Sequence, residues 1–440
     1  MSVVSAFPRA EAEFFLADAA AIKEVTSSRY RFPKPVHHYG LLLYFGSNIV
    51  ASDGEEWKRF RKIAAPAFSD RNNRLVWDET SLIMLDLFDN VWGDKNEIVI
   101  DHCVDITLQI ALSVIGVAGF GRKVSWRDDQ VIPIGRRMTF KEALHIVSTD
   151  MGLRILVPEW AMGLTQRLRK IRIAFEDFEK YMVDLIQDRK TSEKQEQRYD
   201  LFSGFLDAND DEDLSEAKLS MKELFGNIFI FLLAGHETTA HTLCFTFALL
   251  ALYPNEQDAL FQHIKQVLPE DRLPTYDEMP LFTYSMAVFY ETLRMFPPVP
   301  NIPKISSQDT ILKTGNAAGE MKSIAIPKGT VVRLDVPGLH FNSRYWEDPH
   351  AFKPSRFLKD WPRDAFVPFS AGARACLGRK FFETEGIAIL TMLVSRYKIE
   401  VKEEPQFAAE TFEERKARIL AGKIAITQTP IRVPLVFKKR

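Results

Sequence analysis

The stretch FVPFSAGARACLGRKF, residues 366–381, holds Cys376 between Gly372 and Gly378 in an apolar setting. Three apolar residues that share one helix face follow the cysteine: Ile387, Leu390 and Val394. This spacing predicts that the cysteine lies at the N-terminus of a helix. The positive end of the helix dipole and free backbone N–H groups favour a thiolate at such a position, and Arg374 adds positive charge.

A thiolate in this setting is a nucleophile, a metal ligand or a structural side chain. A nucleophile needs a base, and no histidine lies nearby in sequence. A zinc site needs further cysteines or histidines at close spacing, and the stretch has none. A lone thiolate that holds a metal indicates that the metal arrives within its own macrocycle, as in haem. The spacing of the surrounding residues argues against a buried structural cysteine.

The composition is that of a soluble globular protein with a large core, because 26% of the 440 residues are charged and 46% are hydrophobic. The net charge of −2 gives no reason to expect nucleic acid or a membrane surface as a partner. The cysteines, at positions 103, 244 and 376, are odd in number and far apart. They predict no disulfide framework and therefore a reducing compartment.

Helical periodicity dominates the chain, and strand patterns gather late, which predicts a mainly α fold with a smaller β region. Residues 52–68 and 165–190 are predicted amphipathic helices, and Ser220 and Glu223 form a capping box ahead of a long apolar helix. Residues 323–336 predict two strands joined by a Pro-Lys-Gly turn, and residues 423–437 a terminal hairpin. No linker divides the chain, so residues 1–440 are predicted to form a single haem domain.

The residues Phe369, Gly372, Arg374, Cys376 and Gly378 spell F-x-x-G-x-R-x-C-x-G. This pattern resembles the haem-binding loop of the cytochrome P-450 family, and it is highly specific. The resemblance implies that Cys376 is the axial ligand of the haem iron and that Arg374 pairs with a haem propionate. It also implies that Phe369 packs against the thiolate side of the ring. The two glycines are expected to permit a tight turn and close backbone approach.

The segment AGHETTAH, residues 234–241, interrupts the long apolar helix with polar groups. Threonine side chains can bond back to carbonyls of the preceding turn, which predicts a local bend or opening; the alternative is a satisfied pair of core threonines. The segment also resembles the family's oxygen-activation motif. That match implies that Thr238 hydrogen-bonds bound dioxygen and that Glu237 relays protons, with His236 as a helix or core contact.

The segment YETLRMFPP, residues 290–298, places Glu291 and Arg294 on one helix face. With Arg356 of FKPSRF downstream, they resemble the family's E-x-x-R and P-x-R-F set. The resemblance implies that one Glu and two Arg lock the core behind the haem. Removing one member of such a buried set is strongly destabilising, because a charge is left unpaired.

Trp57 and Arg61 form W-x-x-x-R on the early basic helix, where most such pairs are ordinary packing. In the family the arginine, and often the tryptophan N–H, reach a haem propionate. Many relatives also have a propionate-binding arginine at the position of Lys304, whose point charge lacks arginine's bidentate fork. A basic surface for an acidic redox partner is one interpretation of five further residues, and solvated charge is the other: Lys58, Arg59, Lys62, Arg379 and Lys380.

The four motifs occur in the family's order, and the chain is most like fungal microsomal members. W-x-x-x-R usually lies after a membrane-spanning helix and a Pro-rich hinge, so we expect this chain to be N-terminally shortened and to lack that anchor. No stretch reaches the roughly 18 uninterrupted apolar residues that a span needs. The resemblance implies the cytosolic face of the endoplasmic reticulum membrane, while the chain itself leaves a cytoplasmic location open.

The resulting interpretation is a haem-thiolate monooxygenase that uses haem b, O₂ and electrons from NADPH. A separate NADPH-cytochrome P-450 reductase is expected to deliver the electrons, with cytochrome b5 as a second donor. The protein is expected to be a monomer. The substrate is expected to be lipophilic, such as a terpenoid, steroid, fatty acid or aromatic compound, in fungal secondary metabolism or xenobiotic oxidation. Residues 151–164 are apolar and contain a tryptophan, so they border a substrate entrance and a membrane, or pack in the core.

Two rival functions remain at the level of the sequence. One is an isomerase or dehydratase of the same fold that uses neither O₂ nor a reductase. Such enzymes tend to lack the acid–alcohol pair, so Glu237 and Thr238 argue against this class. The other rival is a haem-binding remnant without turnover.

Overall fold

The computed structural model describes residues 2–5, 11–121, 126, 131–192, 200–210, 218–270, 272–315 and 320–440. The α-helices in these ranges are α1 Ala19–Ser27, α2 Gly54–Ala64, α3 Asp70–Asp86, α4 Val104–Val114, α5 Phe140–Leu156, α6 Gln166–Ser192, α7 Leu201–Asp210, α8 Met221–Leu252, α9 Pro254–Val267, α10 Thr283–Met295, α11 Val336–His340, α12 Arg379–Arg396 and α13 Phe412–Ile419.

The strands in the same ranges are β1 Ser2–Ser5, β2 Glu11–Leu16, β3 Glu97–Ile100, β4 Asn301–Ile305, β5 Thr310–Gly315, β6 Met321–Ile326, β7 Val331–Asp335, β8 Tyr397–Val401, β9 Gly422–Ile424, β10 Gln428–Pro430 and β11 Leu435–Lys439. Helices thus account for most of the regular structure, and the predicted fold class, mainly α with a smaller β region, is confirmed.

The strands form two sheets and two hairpins among the described residues. The larger sheet has the order β1-β2-β7-β4 and the second β3-β11-β8, while β5 pairs with β6 and β9 with β10. Residues 323–336 do hold two strands around a turn, but β6 pairs with β5 and β7 lies between β2 and β4. The C-terminal hairpin is limited to β9 and β10, because β11 leaves it to pair with β3 and β8.

The chain divides into two compact units, each made of separate stretches of sequence. The unit that contains all of the described strands comprises residues 1–36, 95–107 and 238–440, and we call it the sheet unit. The other, the helical unit, comprises residues 37–94 and 108–237. Helix α8 begins in the helical unit and ends in the sheet unit. The single haem domain over residues 1–440 stays a prediction.

The core of the helical unit is built from aromatic side chains of α6, α8 and the segment before α2. The ring of Phe45 lies 4.9 Å from that of Phe229 and 5.4 Å from that of Phe178, in the tilted and edge-on arrangements that aromatic pairs prefer. Phe175, Phe178 and Met182 of α6 are buried, as the periodicity predicted. The core therefore fixes α6 against the first half of α8.

Helix α8 begins with the predicted capping box. The Ser220 N–H donates to the Glu223 carboxylate, and the Glu223 N–H donates to the Ser220 hydroxyl. The helix is long and apolar enough to pass for a membrane span by length and composition, but 78% of its most apolar window is buried inside the protein. Such burial is typical of the core helix of a globular protein.

Candidate active site

The loop before α12 holds Cys376 with its side chain accessible to solvent. A short 3₁₀ turn, Gly372–Arg374, precedes the cysteine. The Cys376 N–H donates to the Phe369 carbonyl oxygen over 2.9 Å, which folds the loop back on itself. Helix α12 begins three residues later, at Arg379, so the predicted position of the cysteine near a helix N-terminus is confirmed.

Gly372 is a position where the backbone requires glycine. Its φ is +69°, in the left-handed region, and a Cβ there would lie 2.3 Å from the Thr26 carbonyl oxygen. Gly378, by contrast, has a φ of −83°, which any residue can adopt. Its N–H instead hydrogen-bonds the Cys376 sulfur, so the backbone at this position supplies a donor and needs no special conformation.

Opposing effects act on the Cys376 thiol. Desolvation by the surrounding protein raises the pKa of the thiol, although the side chain is accessible from one side. The Gly378 N–H and the charge of Arg379 lower the pKa, and the carboxylate of Glu383 raises it. A positive ligand placed on the sulfur would compensate the desolvation, because a metal stabilises the thiolate outright.

The donor set around Cys376 fits a metal that brings its own ligands. No cluster of three or more His, Cys, Asp or Glu side chains suited to a metal ion occurs in the described ranges. A single accessible thiol with a backbone donor to its sulfur is what an axial haem ligand requires. The residues present therefore fit haem and do not fit zinc.

The expected Glu–Arg–Arg set is formed in the sheet unit. Arg294 donates to both carboxylate oxygens of Glu291, over 2.7 and 2.9 Å, and Arg356 donates to the same carboxylate over 3.0 Å. Glu291 and Arg294 are fully buried. The arrangement confirms the prediction of one buried carboxylate held between two guanidinium groups.

His340 connects this ionic set to the cysteine loop, and the sequence analysis missed it. Its Nδ1 hydrogen-bonds the Arg294 carbonyl oxygen over 3.0 Å, so Nδ1 carries the proton, and Nε2 accepts from the Val367 N–H over 3.0 Å. Burial and the charge of Arg294 lower the pKa of His340 to about 3. The ring is therefore neutral and bridges α10 to the residue two positions before Phe369.

Helix α8 runs through the acid–alcohol segment without interruption, and the local bend or opening expected there stays a prediction. In this segment Ala234 is exposed, and Gly235 and Thr238 are partly exposed, while Glu237 and Thr239 are buried. Ala234 and Thr238 are four residues apart and share a face. His236 is buried and its Nδ1 bonds the Leu232 carbonyl oxygen over 2.6 Å. Burial lowers the pKa of His236 to about 4, and the prediction that it is a helix and core contact is confirmed.

Gly235 admits a neighbouring side chain to the surface of α8. A Cβ at this position would lie 2.9 Å from Cδ1 and 2.9 Å from Cγ1 of Ile115. Real Cβ atoms do not approach so closely, so any larger residue would displace Ile115 or the helix. The glycine of the motif thus has a packing reason in this chain.

Thr239 and Glu385 form a second polar contact beside Thr238 that the sequence analysis missed. The Thr239 hydroxyl donates to Glu385 Oε2 over 3.3 Å, and no described residue hydrogen-bonds Oε1. Burial raises the pKa of Glu385 well above its usual value. A carboxyl just before the apolar run of residues 387–390 was the available signal, because a buried residue of this kind needs a partner from another helix.

The remaining predicted cofactor contacts are placed as follows. In the helical unit, Trp57 is buried and the Arg61 guanidinium lies 5.7 Å from the centre of its ring, which confirms that they share a face of α2. In the sheet unit, Lys304 lies on β4 and is 6% exposed. Arg374 is partly exposed. Their contacts with haem stay predictions.

The proposed basic surface is largely paired within each unit. Lys58 pairs with Glu55 over 2.6 Å, Arg59 pairs with Glu223, and Arg379 pairs with Glu383 over 2.8 Å. These carboxylates offset three of the five positive charges. Local pairing is thus one role of these three charges, and a basic surface for a redox partner stays a prediction.

Residues 151–164 carry a cluster of exposed apolar side chains on the helical unit. The segment comprises the end of α5 and a 3₁₀ turn, Glu159–Gly163. Four side chains there are exposed, by 44% to 80%: Ile155, Leu156, Trp160 and Leu164. Met151, Ala161 and Met162 of the same segment are buried. The segment is therefore partly core and partly an apolar surface.

The mainly helical fold, together with a single accessible thiol and an acid–alcohol helix, defines a haem-thiolate protein. A family model described as "Cytochrome P450" matches residues 2–421. The chain is 59% identical to "Cytochrome P450 monooxygenase 124" of Postia placenta, over 100% of this chain and 85% of the relative. It is 30% identical to "Cytochrome P450 monooxygenase ORF6" of Penicillium roqueforti, over 97% of this chain and 80% of the relative.

Among solved structures, the cytochrome P450DA heme domain is similar in fold, with a TM-score of 0.80 and 23% sequence identity. That similarity covers 100% of this chain and 90% of the other. The chain belongs to the cytochrome P450 family. The predicted enzyme class, a haem-thiolate monooxygenase, is confirmed by the family and by these relatives.

Proposed function

We propose that the protein oxidises a lipophilic organic substrate, by hydroxylation or epoxidation, with electrons that NADPH supplies through a separate NADPH-cytochrome P-450 reductase. Cytochrome b5 is a second candidate donor. The observation that carries the proposal is the accessible Cys376 thiol, with a backbone donor to its sulfur and no cluster of metal-ligating side chains among the described residues. Bound haem supplies dioxygen activation, which the axial thiolate favours by donating charge.

Cofactor binding is assigned to the residues of the sequence motifs. Cys376 would hold the haem iron through its thiolate. Gly378 holds the sulfur through its N–H, Gly372 permits the turn, and Phe369 packs beside the ligand. The cations proposed to hold the haem propionates are Arg374, Lys304 and Arg61, with the Trp57 N–H as a further donor.

Proton delivery is assigned to Thr238 and Glu237. The Thr238 hydroxyl lies on the accessible face of α8, where it can hold a proton against an oxygen atom of the co-substrate. Glu237, the next residue, is 7% exposed and can pass a proton to this face. The intact pair supports a monooxygenase over an isomerase or dehydratase of the same fold, which cleaves no O₂ and so needs no protons for that step.

The test of this assignment compares Thr238→Ala with Thr238→Ser, which keeps the hydroxyl. Both variants should bind haem as the parent does. With reductase and a lipophilic substrate found by a spin-state binding screen, Thr238→Ala should consume NADPH but divert electrons into hydrogen peroxide. Thr238→Ser should keep most of the coupling to product. If Thr238→Ala couples electrons to product as well as the parent, the proposed role is wrong.

We further propose that the exposed apolar cluster of residues 155–164 rests on a lipid surface at the cytosolic face of the endoplasmic reticulum. Tryptophan favours the membrane–water interface, and four large apolar side chains are exposed within ten residues. Such contact would deliver lipophilic substrates from the bilayer. Arg169, which follows the cluster, can meet anionic headgroups, whereas Arg167 and Lys170 pair with Asp150 and Glu142.

Vesicle flotation tests this contact with phosphatidylcholine vesicles that contain phosphatidylserine. The variant Leu156→Ser with Trp160→Ser should float less than the parent. A matched control is Ile132→Ser with Ile134→Ser, because these side chains are also exposed, by 48% and 103%, elsewhere on the same unit. Equal losses in both variants would contradict a specific lipid contact at residues 155–164.

A further inference from the structure

Tyr290, Glu383 and Arg379 form a closed ring of hydrogen bonds next to the cysteine loop. The Tyr290 hydroxyl donates to Glu383 Oε1 over 2.6 Å, and Arg379 Nε donates to the same oxygen over 2.8 Å. Arg379 Nη2 donates to the Tyr290 hydroxyl over 3.1 Å. Each side chain therefore contacts the other two, and the haem-binding motif includes none of them.

The ring holds a positive charge where the helix itself disfavours one. Arg379 is the first residue of α12, and the N-terminus of a helix carries a partial positive charge. Glu383, one turn later, supplies the compensating carboxylate. Tyr290 and Glu383 are each less than a tenth exposed, whereas half of the Arg379 side chain is accessible. The two buried residues thus anchor a cation that would otherwise extend into solvent.

The anchored guanidinium lies against the residue that shapes the ligand loop. Its central carbon is 5.2 Å from the centre of the Phe369 ring. The carbonyl of Phe369 accepts the N–H of Cys376 over 2.9 Å. Both charges of the pair act on the sulfur: Arg379 lowers the pKa of the Cys376 thiol and Glu383 raises it.

We propose that the Arg379–Glu383 pair, positioned by Tyr290, sets the reduction potential of the iron that Cys376 ligates. Reduction adds one electron at the iron, so a nearby positive charge favours the reduced state and a nearby negative charge opposes it. Arg379 raises the potential and Glu383 lowers it. Tyr290 is a positioning residue: its hydroxyl hydrogen-bonds both the guanidinium and the carboxylate and so fixes their positions. These positions determine how far the two opposite effects on the potential cancel. The proposal rests on the proposed haem binding at Cys376.

The measurement is the midpoint potential of the ferric/ferrous couple in the full-length holoprotein, by spectroelectrochemical titration without substrate. Arg379→Gln should shift the potential to more negative values, and Glu383→Gln to more positive values. Tyr290→Phe should give a smaller negative shift, because the guanidinium loses an acceptor and moves towards solvent. In the Glu383→Gln background, Tyr290→Phe should have little further effect.

Lys380→Gln is the matched control, because it removes the same charge at the next residue, which is exposed. It should shift the potential by less than half as much as Arg379→Gln. Equal shifts in these two variants, or a negative shift in Glu383→Gln, would overturn the proposal. So would an unshifted Tyr290→Phe with a native carbon monoxide spectrum and melting temperature.

The two proposals fail in different ways. A parent protein that shows no thiolate-type carbon monoxide spectrum disproves the haem assignment, and the inference about the potential falls with it. A parent with a normal spectrum, and variants whose potentials do not move as described, disproves only the role of the Tyr290–Glu383–Arg379 ring.

Discussion

Thr239 of α8 donates a hydrogen bond to Glu385 of α12 over 3.3 Å, and both side chains are buried. The contact joins the acid–alcohol helix to the helix that follows Cys376. Because a buried, unpaired charge is costly, burial raises the pKa of Glu385 well above its usual value. Helices α8 and α12 are therefore joined through a carboxyl group whose charged form is disfavoured.

The state of Glu385 has a consequence for stability. A folded-state pKa above the unfolded value of about 4.3 means that the native protein binds more protons than the unfolded chain. Stability from this group is therefore fully present below about pH 4.3 and is lost as the pH rises, at up to about 1.4 kcal/mol per pH unit. Glu385→Gln should remove this loss.

Thermal unfolding of the parent and Glu385→Gln between pH 5 and 8 measures the effect. The variant should gain stability relative to the parent as the pH rises. Thr239→Val in the same series is the control, since it removes the hydroxyl and leaves the acid. A constant difference between the parent and Glu385→Gln over this range would show that Glu385 is ionised in the folded state.

His340 gives the opposite dependence on pH. Its folded pKa of about 3 lies below the unfolded value of about 6.5, so the unfolded chain binds the extra proton. The stability it contributes is present above about pH 6.5 and is lost as the pH falls towards about 3. His340→Gln should be less stable than the parent at pH 7.5, with a smaller loss between pH 6.5 and 4.5. Chemical denaturation at these three pH values measures the unfolding free energy of both proteins. The prediction would be refuted if the free energies of the parent and His340→Gln changed in parallel with pH.

The buried Glu291–Arg294 pair should dominate the stability of the sheet unit. Arg294→Met leaves the Glu291 carboxylate without two of its hydrogen bonds and should cost about 3–5 kcal/mol of unfolding free energy. Lys23→Met is the control, because its pair with Asp364 is more than 60% exposed on both sides. That change should cost at most about 1 kcal/mol. Urea titration measures the unfolding free energy of both variants. Comparable losses in Arg294→Met and Lys23→Met would contradict the stabilising role of the buried pair.

The close approach of Ile115 to Gly235 predicts that Gly235→Ala destabilises the parent but stabilises a variant in which Ile115 is shortened. Gly235→Ala in the parent should destabilise by about 1–3 kcal/mol, because the new methyl group overlaps Ile115. In an Ile115→Ala background the overlap is gone, and the same change should stabilise by up to about 1 kcal/mol through helix propensity. A double-mutant cycle in urea measures both steps. Additive effects of the two substitutions would mean that Ile115 does not restrict the size of the side chain at position 235.

The motifs predicted local features well because each depends on spacing within a short segment. The capping box of Ser220 and the pairing of Glu291 with Arg294 follow from residues a few positions apart, whereas the turn at Gly372 was predicted from the resemblance to the family. Arg356 was placed with them by resemblance to the family. His340 and Tyr290 were missed because their partners lie 27 to 93 residues away in sequence. No periodic pattern specifies such contacts.

Strand partners were the other limit of the sequence. The pattern of residues 323–336 predicted two strands, but which strands they pair with depends on the larger sheet. β7 has Val331, Val332 and Leu334 buried and lies between two neighbours, whereas β6 is mostly exposed and pairs only with β5. The neighbours of β7 in the sheet, β2 and β4, are distant in sequence, so the pattern of residues 323–336 could not predict them.

The most direct test of the account is the carbon monoxide difference spectrum of the purified, haem-loaded protein and of Cys376→Ala. The parent should show the strongly red-shifted Soret band of a thiolate-ligated iron, and Cys376→Ala should lose that band. Cys244→Ala is the control, because Cys244 is a buried thiol outside the ligand loop. A parent with the spectrum of histidine or water ligation, or a Cys376→Ala variant that keeps the parent's band, would contradict the central claim.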